Sequence, residues 1–207
     1  MDTQAKKEVN MDFQRSLFDG DLVCLAPIDP ENDAEVEAGW THNAEYLRML
    51  GIEPARPLSA YQIKQKYENI EKKMEEHKNM FYFNIRKRED DRLVGFTKIF
   101  WVAWTHGSAF VQLGIGAPED RGLGYGNEAL QLLLRYAFEE LNLFRLTALV
   151  PGCNQPAIGL FEKSGFKEEV RRRQALNRNC QRFDIIDFGL LVDEWRSRED
   201  QQLNPVV

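Results

Sequence analysis

Gly116-Ala117-Pro118-Glu119-Asp120-Arg121-Gly122-Leu123-Gly124-Tyr125-Gly126 is the stretch on which the fold turns. It follows an alternating run, Phe110 to Ile115, whose period suits a strand. It opens into a segment with Leu130, Leu133, Leu134, Ala137, Phe138 and Leu141 at helical spacing, which predicts a helix over residues 127–141. Leu146 to Val150 is then a second apolar strand. A strand, a glycine-rich loop, a helix and a strand make a right-handed crossover, so the two strands are expected side by side and parallel.

Working outward, a shorter helix is expected from Gln155 to Lys163, ending at Ser164-Gly165. Two further strands follow, about Phe166–Leu176 and Phe183–Leu191, parted by polar Asn177 to Asn179. A last helical turn holds Glu194 and Trp195. Upstream, Phe81–Arg86 and Leu93–Phe100 read as a hairpin around Glu89-Asp90-Asp91. Ser59 and Gln62 form a capping box for a helix with Ile63, Tyr67, Ile70 and Met74 on one face. Residues 30–50 are a broken helical region, and Leu22 to Leu25 is the first strand. Hairpins beside a crossover give an α/β fold with a mixed sheet flanked by helices. We expect one domain over residues 21–198, a flexible arm over 1–20 and a disordered tail over 199–207.

Composition narrows the function. The 207 residues are 43% hydrophobic and 11% aromatic, enough for a core without staples. A net charge of -6 argues against a nucleic-acid partner, which would require clustered positive charge. It mildly favours cationic partners, although a modest acidic balance also serves solubility. No apolar run reaches the ~18 residues that cross a bilayer, so no membrane partner is expected. Three cysteines at no redox or metal spacing, with no apolar leader, point to a cytoplasmic protein. His42, His77 and His106 are scattered, so no metal site is expected, nor a cysteine–histidine acyl carrier built on Cys153.

The loop carries the chemistry. Glycines let the backbone approach a ligand closely, and the first N–H groups of the next helix lack internal partners. Together with the helix dipole they form an anion site suited to a pyrophosphate, to which Arg121 can add a charge-assisted contact. A plain strand-to-helix turn would look much the same. A phosphate-binding P-loop needs Lys-Ser/Thr after the last glycine, where Asn127-Glu128 stands here. A dinucleotide fingerprint needs Gly-x-Gly-x-x-Gly near the first strand, and the spacing here is Gly-x-Gly-x-Gly past the midpoint.

Arg121, Gly124 and Gly126 match the acetyl-CoA signature Arg/Gln-x-x-Gly-x-Gly/Ala, and the chain resembles the GNAT superfamily of N-acetyltransferases. Leu113-Gly114-Ile115 is similar to that family's splayed fourth strand, and residues 154–166 to its Asn-x-x-Ala-x-x-Leu-Tyr-Glu-Lys-x-Gly-Phe. The last strand and the ending Leu190-Leu191-Val192-Asp193-Glu194-Trp195 resemble the branch that holds ribosomal-protein N-terminal acetyltransferases and spermidine acetyltransferases. The resemblance implies direct acetyl transfer from acetyl-CoA to a primary amine, with no covalent enzyme intermediate. The acceptor would be a protein N-terminal α-amine or a small polyamine-like compound. It implies a cofactor site of Leu113, Ile115, Arg121, Gly122, Leu123, Gly124, Tyr125, Gly126, Asn127, Asn154 and Lys163.

The catalytic positions by resemblance are Asn154, Gln112 and Phe161. Two depart from the family. Many relatives place glutamate at Gln112 as a base and tyrosine at Phe161 as an acid, and neither residue here can move a proton. Glu119 and Asp184 remain weak candidates as bases. A catalytically silent acetyl-CoA sensor or partner subunit is therefore the alternative. Asn154 reads as a cofactor contact, as the N-cap of residues 155–163, or as both. Trp101, Trp104, Tyr82 and Phe110 are core residues or an acceptor pocket, and Arg171-Arg172-Arg173 a charged strand edge. The oligomeric state stays open, a homodimer included.

Overall fold

Alternation and β-branched or aromatic content produce seven strands in the computed structural model, which describes residues 16–203. They are β1 (Val23–Ala26), β2 (Phe81–Lys87), β3 (Leu93–Ala103), β4 (Ser108–Ile115), β5 (Arg145–Pro151), β6 (Lys167–Arg178) and β7 (Gln181–Leu191). They form one mixed sheet in the order β1-β2-β3-β4-β5-β7-β6. All pairings are antiparallel except β4 with β5, the parallel pair expected from the crossover.

The helices cover both faces. On one lie α1 (Ala34–Thr41), α2 (Ala44–Leu50) and α3 (Ala60–His77). Ala34, Ala38, Ile63 and Tyr67 pack there against Tyr82 and Phe96. The capping box forms as expected: Gln62 N donates to Ser59 Oγ at 3.3 Å, and Ser59 N to Gln62 Oε1 at 3.0 Å. On the other face lie α4 (Tyr125–Arg135) and α5 (Gln155–Lys163), with α6 (Val192–Leu203) at the end of β7. Leu130, Leu133 and Leu134 of α4 are fully buried among Val111, Leu146, Phe161 and Phe188. Each such leucine contributes about 1.5–3 kcal/mol of burial.

Several boundaries differ from the sequence reading. The helix predicted to run through residue 141 keeps α-geometry only to Arg135 and then widens into a π-turn, Tyr136–Glu140, with Leu141 N donating to Tyr136 O at 3.0 Å. The widened turn buries Ala137 and Phe138 together. Asn177 and Arg178 pair with Arg182 and Gln181, so two of the three residues read as a polar break are strand. The reversal is a two-residue turn at Asn179 (φ 51°) and Cys180 (φ 59°), both left-handed as a type I′ hairpin requires. At the C-terminus the helix continues past Glu199 to Leu203, which is not the disordered tail expected there; residues 204–207 lie outside the described residues.

At the N-terminus, residues 16–20 are docked rather than a free arm. Phe18 packs at a tilt against Phe83 and Tyr136, with ring centres 5.8 and 5.6 Å away, and Arg135 Nη1 donates to Ser16 O at 3.1 Å. The Glu128 carboxylate accepts from the N–H groups of Asp21, Leu22 and Val23 at 2.7–2.8 Å, pinning the start of β1 to α4. Residues 1–15, the rest of the expected arm, lie outside the described residues.

Candidate active site

The parallel pair opens partway along. β4 and β5 are in register from Ser108↔Arg145 to Val111↔Ala148 and no further. Beyond that, Gln112–Ile115 stay paired only with β3, through Lys98, Thr97, Phe96 and Gly95. β5 continues against β7 as far as Pro151↔Ile185. The two strands splay, and a groove of about 820 Å³ occupies the gap. Its walls are Leu113–Ile115, the loop and first turn of α4, the inner face of α5, and α2.

The loop shapes the floor. Gly122 (φ 76°) and Gly124 (φ 93°) take left-handed conformations that let the chain turn into α4 without a side chain in the way. Gly124 is the N-cap of α4 and supplies no side-chain acceptor, so the helix's first N–H groups stay available to an anion. Gly126 matters for space. A Cβ there would stand 3.6 Å from Leu113 Cδ1 and Ile115 Cγ1 and 3.9 Å from Leu160 Cδ2, all three residues of the groove wall. A glycine floor bounded by unpartnered N–H groups fits the elongated, anion-bearing acetyl-CoA expected from the sequence.

The expected cofactor residues fall into two groups. Leu113, Ile115, Arg121, Gly122, Gly124, Gly126, Asn127, Asn154 and Lys163 all line the groove. Leu123 and Tyr125 do not: the Leu123 side chain is 54% exposed, and Tyr125 is buried with Val23, Leu25 and Ile85 on the far side of the helix. Their backbones belong to the loop, and their side chains face elsewhere. Arg121 is braced over the loop, with Nη2 donating to Gly116 O at 2.9 Å and Nε to Ile115 O at 3.4 Å.

The three expected catalytic positions also separate. Phe161 is 5% exposed and packs on Phe166 and Phe188 at ring distances of 5.0 and 6.4 Å, so it is a core ring whose edge forms part of the groove wall. Asn154 is the N-cap of α5: Oδ1 accepts from Ala157 N at 3.1 Å, while Nδ2 donates to Met49 O at 3.1 Å. Gln112 is outside the groove wall, and its Nε2 donates to Leu50 O at 2.7 Å. Asn154 and Gln112 therefore both hold the C-terminal end of α2 over the splayed strands. Arg178 does the same from the last hairpin, donating to Gly51 O at 2.8 Å and Glu53 O at 3.3 Å.

Of the weak base candidates, Glu119 is exposed outside the groove wall. Asp184 is held below the usual carboxylate range, first by the Gln174 N–H and then by Arg171, which suits it to accept hydrogen bonds and not protons. Tyr82 is core, and Trp101, Trp104 and Phe110 gather at the opposite end of the sheet, away from the groove. Arg171 pairs with Glu168 and Asp184, and Arg172 with Asp187, on the edge strand β6. Among the described residues, no three His, Cys, Asp or Glu side chains gather as a metal site, and no helix is long and apolar enough to cross a membrane.

Sequence reasoning missed the contribution of α2. Glu45, Tyr46, Met49 and Leu50 line the groove, and Glu45, Arg48 and Met49 border a smaller pocket of about 290 Å³ beside it, with Cys153, Arg178 and Gln181. No local pattern marks them; only the tertiary fold brings them to β4.

The family model for the acetyltransferase (GNAT) domain matches residues 23–167. A spermidine N(1)-acetyltransferase of Vibrio cholerae is 30% identical over 150 residues, 70% of this chain and 86% of that protein. An uncharacterised N-acetyltransferase of Bacillus subtilis is 27% identical over 162 residues, 75% of this chain and 86% of that protein. A crystal structure of spermidine N-acetyltransferase from Vibrio cholerae in complex with CoA and spermine superposes with a TM-score of 0.74 at 21% identity, covering 86% of this chain and 99% of the other; that likeness is one of fold.

Proposed function

The chain belongs to the GNAT acetyltransferase family, which moves an acetyl group from acetyl-CoA to an amine, and from that premise we propose an acceptor whose amine neighbours an acidic group, such as a protein or peptide α-amine. The observation that carries this is the charge beside the groove. Arg48 is half-buried with no ion-pair partner among the described residues, and Arg178 stands across the same pocket. The sole carboxylate there, Glu45, lies 3.7 Å from Arg121. A polyamine carries several positive charges and would meet two guanidinium groups; a carboxylate is what such groups bind.

Acetyl-CoA supplies the activated thioester. We assign its binding to the wall residues Leu113–Ile115, Arg121, Gly122, Gly124, Gly126, Asn127 and Lys163. The first turn of α4 supplies N–H donors for the pyrophosphate, and Lys163 and Arg121 supply positive charge. Asn154 and Gln112 serve as positioning residues that fix α2. The α-amine, with a pKa near ~8, enters after losing its proton to water, since neither Gln112 nor Phe161 can accept it. The three cysteines are all free, which supports a reducing compartment such as the cytoplasm.

The test is CoA release from acetyl-CoA across an amine panel. Peptides with an acidic residue near a free α-amine should exceed spermidine and spermine by tenfold or more in kcat/KM. Arg48→Glu should narrow or reverse that preference. Higher kcat/KM for spermidine in the wild type would overturn the acceptor assignment.

A further inference from the structure

Phe161 leaves the site without the phenol that relatives place there, yet another phenol reaches the same groove from the opposite wall. Tyr46 of α2 is 5% exposed, with its ring against Trp40 at 6.1 Å and beside Leu93. Its hydroxyl is buried and has no hydrogen-bond partner among the described residues. A buried hydroxyl without a partner is costly, so it marks a position that a ligand group can satisfy. The hydroxyl is aimed at the splayed strand: a Cβ on Gly114 would stand 3.5 Å from the Tyr46 oxygen. Gly114 lies in the part of β4 that has parted from β5, and both residues line the groove.

We propose that the Tyr46 hydroxyl is a catalytic hydrogen-bond donor to the acetyl carbonyl oxygen at the transfer site. The inference rests on the acetyl-transfer reading above. As the nitrogen–carbon bond forms, negative charge develops on that oxygen and the phenol hydrogen bond strengthens. The carbon–sulfur bond then breaks, its electron pair leaves on sulfur, and the thiolate takes up one proton while the acylated nitrogen sheds one to solvent. Tyr46 keeps its own proton throughout. Burial pushes its pKa well above the ordinary value near 10, and Glu37 adds to the shift, while Arg121 opposes it. A thiol has a pKa near ~8.5, so proton transfer from Tyr46 to sulfur would run uphill. Donation without transfer is the role left to it. Gly114 supports this placement, because any side chain there would fill the space between the hydroxyl and the strand: Leu50 Cδ1 already lies 2.8 Å from the position of a Cβ.

The test is Tyr46→Phe, read four ways. Thermal stability of the free protein should stay level or rise, since the lost hydroxyl has no protein partner. Calorimetric affinity for acetyl-CoA should stay within about threefold. The infrared carbonyl stretch of bound, carbonyl-labelled acetyl-CoA should move to higher wavenumber than in the wild type. Turnover should fall about 10²–10³-fold with little change in KM for acetyl-CoA, the loss typical of one missing donor. Unchanged turnover and an unchanged carbonyl stretch would overturn the proposal, as would a large drop in stability of the free protein, which would make the hydroxyl structural. A wild type that neither binds acetyl-CoA nor acetylates any amine would overturn the acetyl-transfer reading itself; a working wild type beside an equally fast variant overturns the Tyr46 assignment alone.

Discussion

At residue 126 the difference between a hydrogen and a methyl group decides what fits in the groove. Gly126 sits in the first turn of α4, and a Cβ added there would meet Leu113, Ile115 and Leu160 at ordinary van der Waals distances. Gly126→Val should therefore keep the fold, because nothing in the protein collides with the new Cβ, while its methyl groups stand where the proposed site puts acetyl-CoA. The expected outcome is a melting temperature near that of the wild type and at least tenfold weaker acetyl-CoA binding by calorimetry. An unchanged affinity would remove the loop from the cofactor site. Gly124 gives a less clean experiment, although its place in the signature makes it the obvious choice from sequence. Its φ of 93° strains any β-branched residue, and Leu22 Cδ1 lies 3.2 Å from the position of a Cβ, so valine there would cost stability as well as binding. The signature was legible because its residues are neighbours in the chain. Which glycine faces the ligand and which makes the turn depends on dihedral angles that the letters do not carry.

Among the elements, α2 depends most on the rest of the chain. Its own seven residues are too few for a stable isolated helix. Its carbonyl end is held by Asn154 from α5, Gln112 from β4 and Arg178 from β6. None of these ties follows from sequence, since each joins residues more than 60 positions apart. By contrast, α3 and α5 were legible because their caps are local: Ser59 with Gln62, and Asn154 with Ala157. The β6–β7 hairpin was legible but its turn was set too early, because Asn179-Cys180 lacks the glycine that usually announces two left-handed residues. Asn154→Ala removes both a cap and a tie, and should lower stability by about 1–2 kcal/mol in denaturant unfolding. Asn154→Ser keeps a cap but is too short to reach Met49, and should recover roughly half. If alanine and wild type unfold at the same denaturant concentration, α2 is held by other contacts.

Across the whole molecule, the two faces of the sheet are built differently, and stability against pH should report it. Among the described residues, the α4–α5 face buries no charged pair of this kind; its core is aliphatic and aromatic, with Gln131 donating to Ser164 as a neutral contact. The α1–α3 face buries charge: Glu37 takes Lys66 and Tyr67, and Asp33 takes Arg86 at 2.6 Å with Asn84. Lys98 of β3 enters the same layer with no carboxylate of its own. Its Nζ lies 4.8 Å from the centre of the Phe100 ring. Burial first and Lys66 second lower its pKa from 10.5 to about 8, with Glu37 opposing them. Below pH 8 the amine is charged in both folded and unfolded chains, so the full cost of burying it is present. Between pH 8 and 10.5 the unfolded chain binds more proton than the folded one, so this residue's contribution to stability rises with pH. Above that range both forms are neutral and the cost has gone. At about 1.36 kcal/mol per pKa unit, the swing is about 3 kcal/mol. Lys98→Met keeps the apolar stem and removes the amine. It should be more stable than the wild type at pH 7 by about 2–3 kcal/mol, after allowing about 0.5–1 kcal/mol for the lost ring contact. That advantage should shrink steadily towards zero as pH rises from 8 to 10. Taking the difference between the two proteins at each pH cancels the tyrosines and other lysines that titrate in both. Denaturant unfolding at four or five pH values measures it, and a difference that stays flat from pH 7 to 10 would mean that Lys98 reaches water and carries no burial cost.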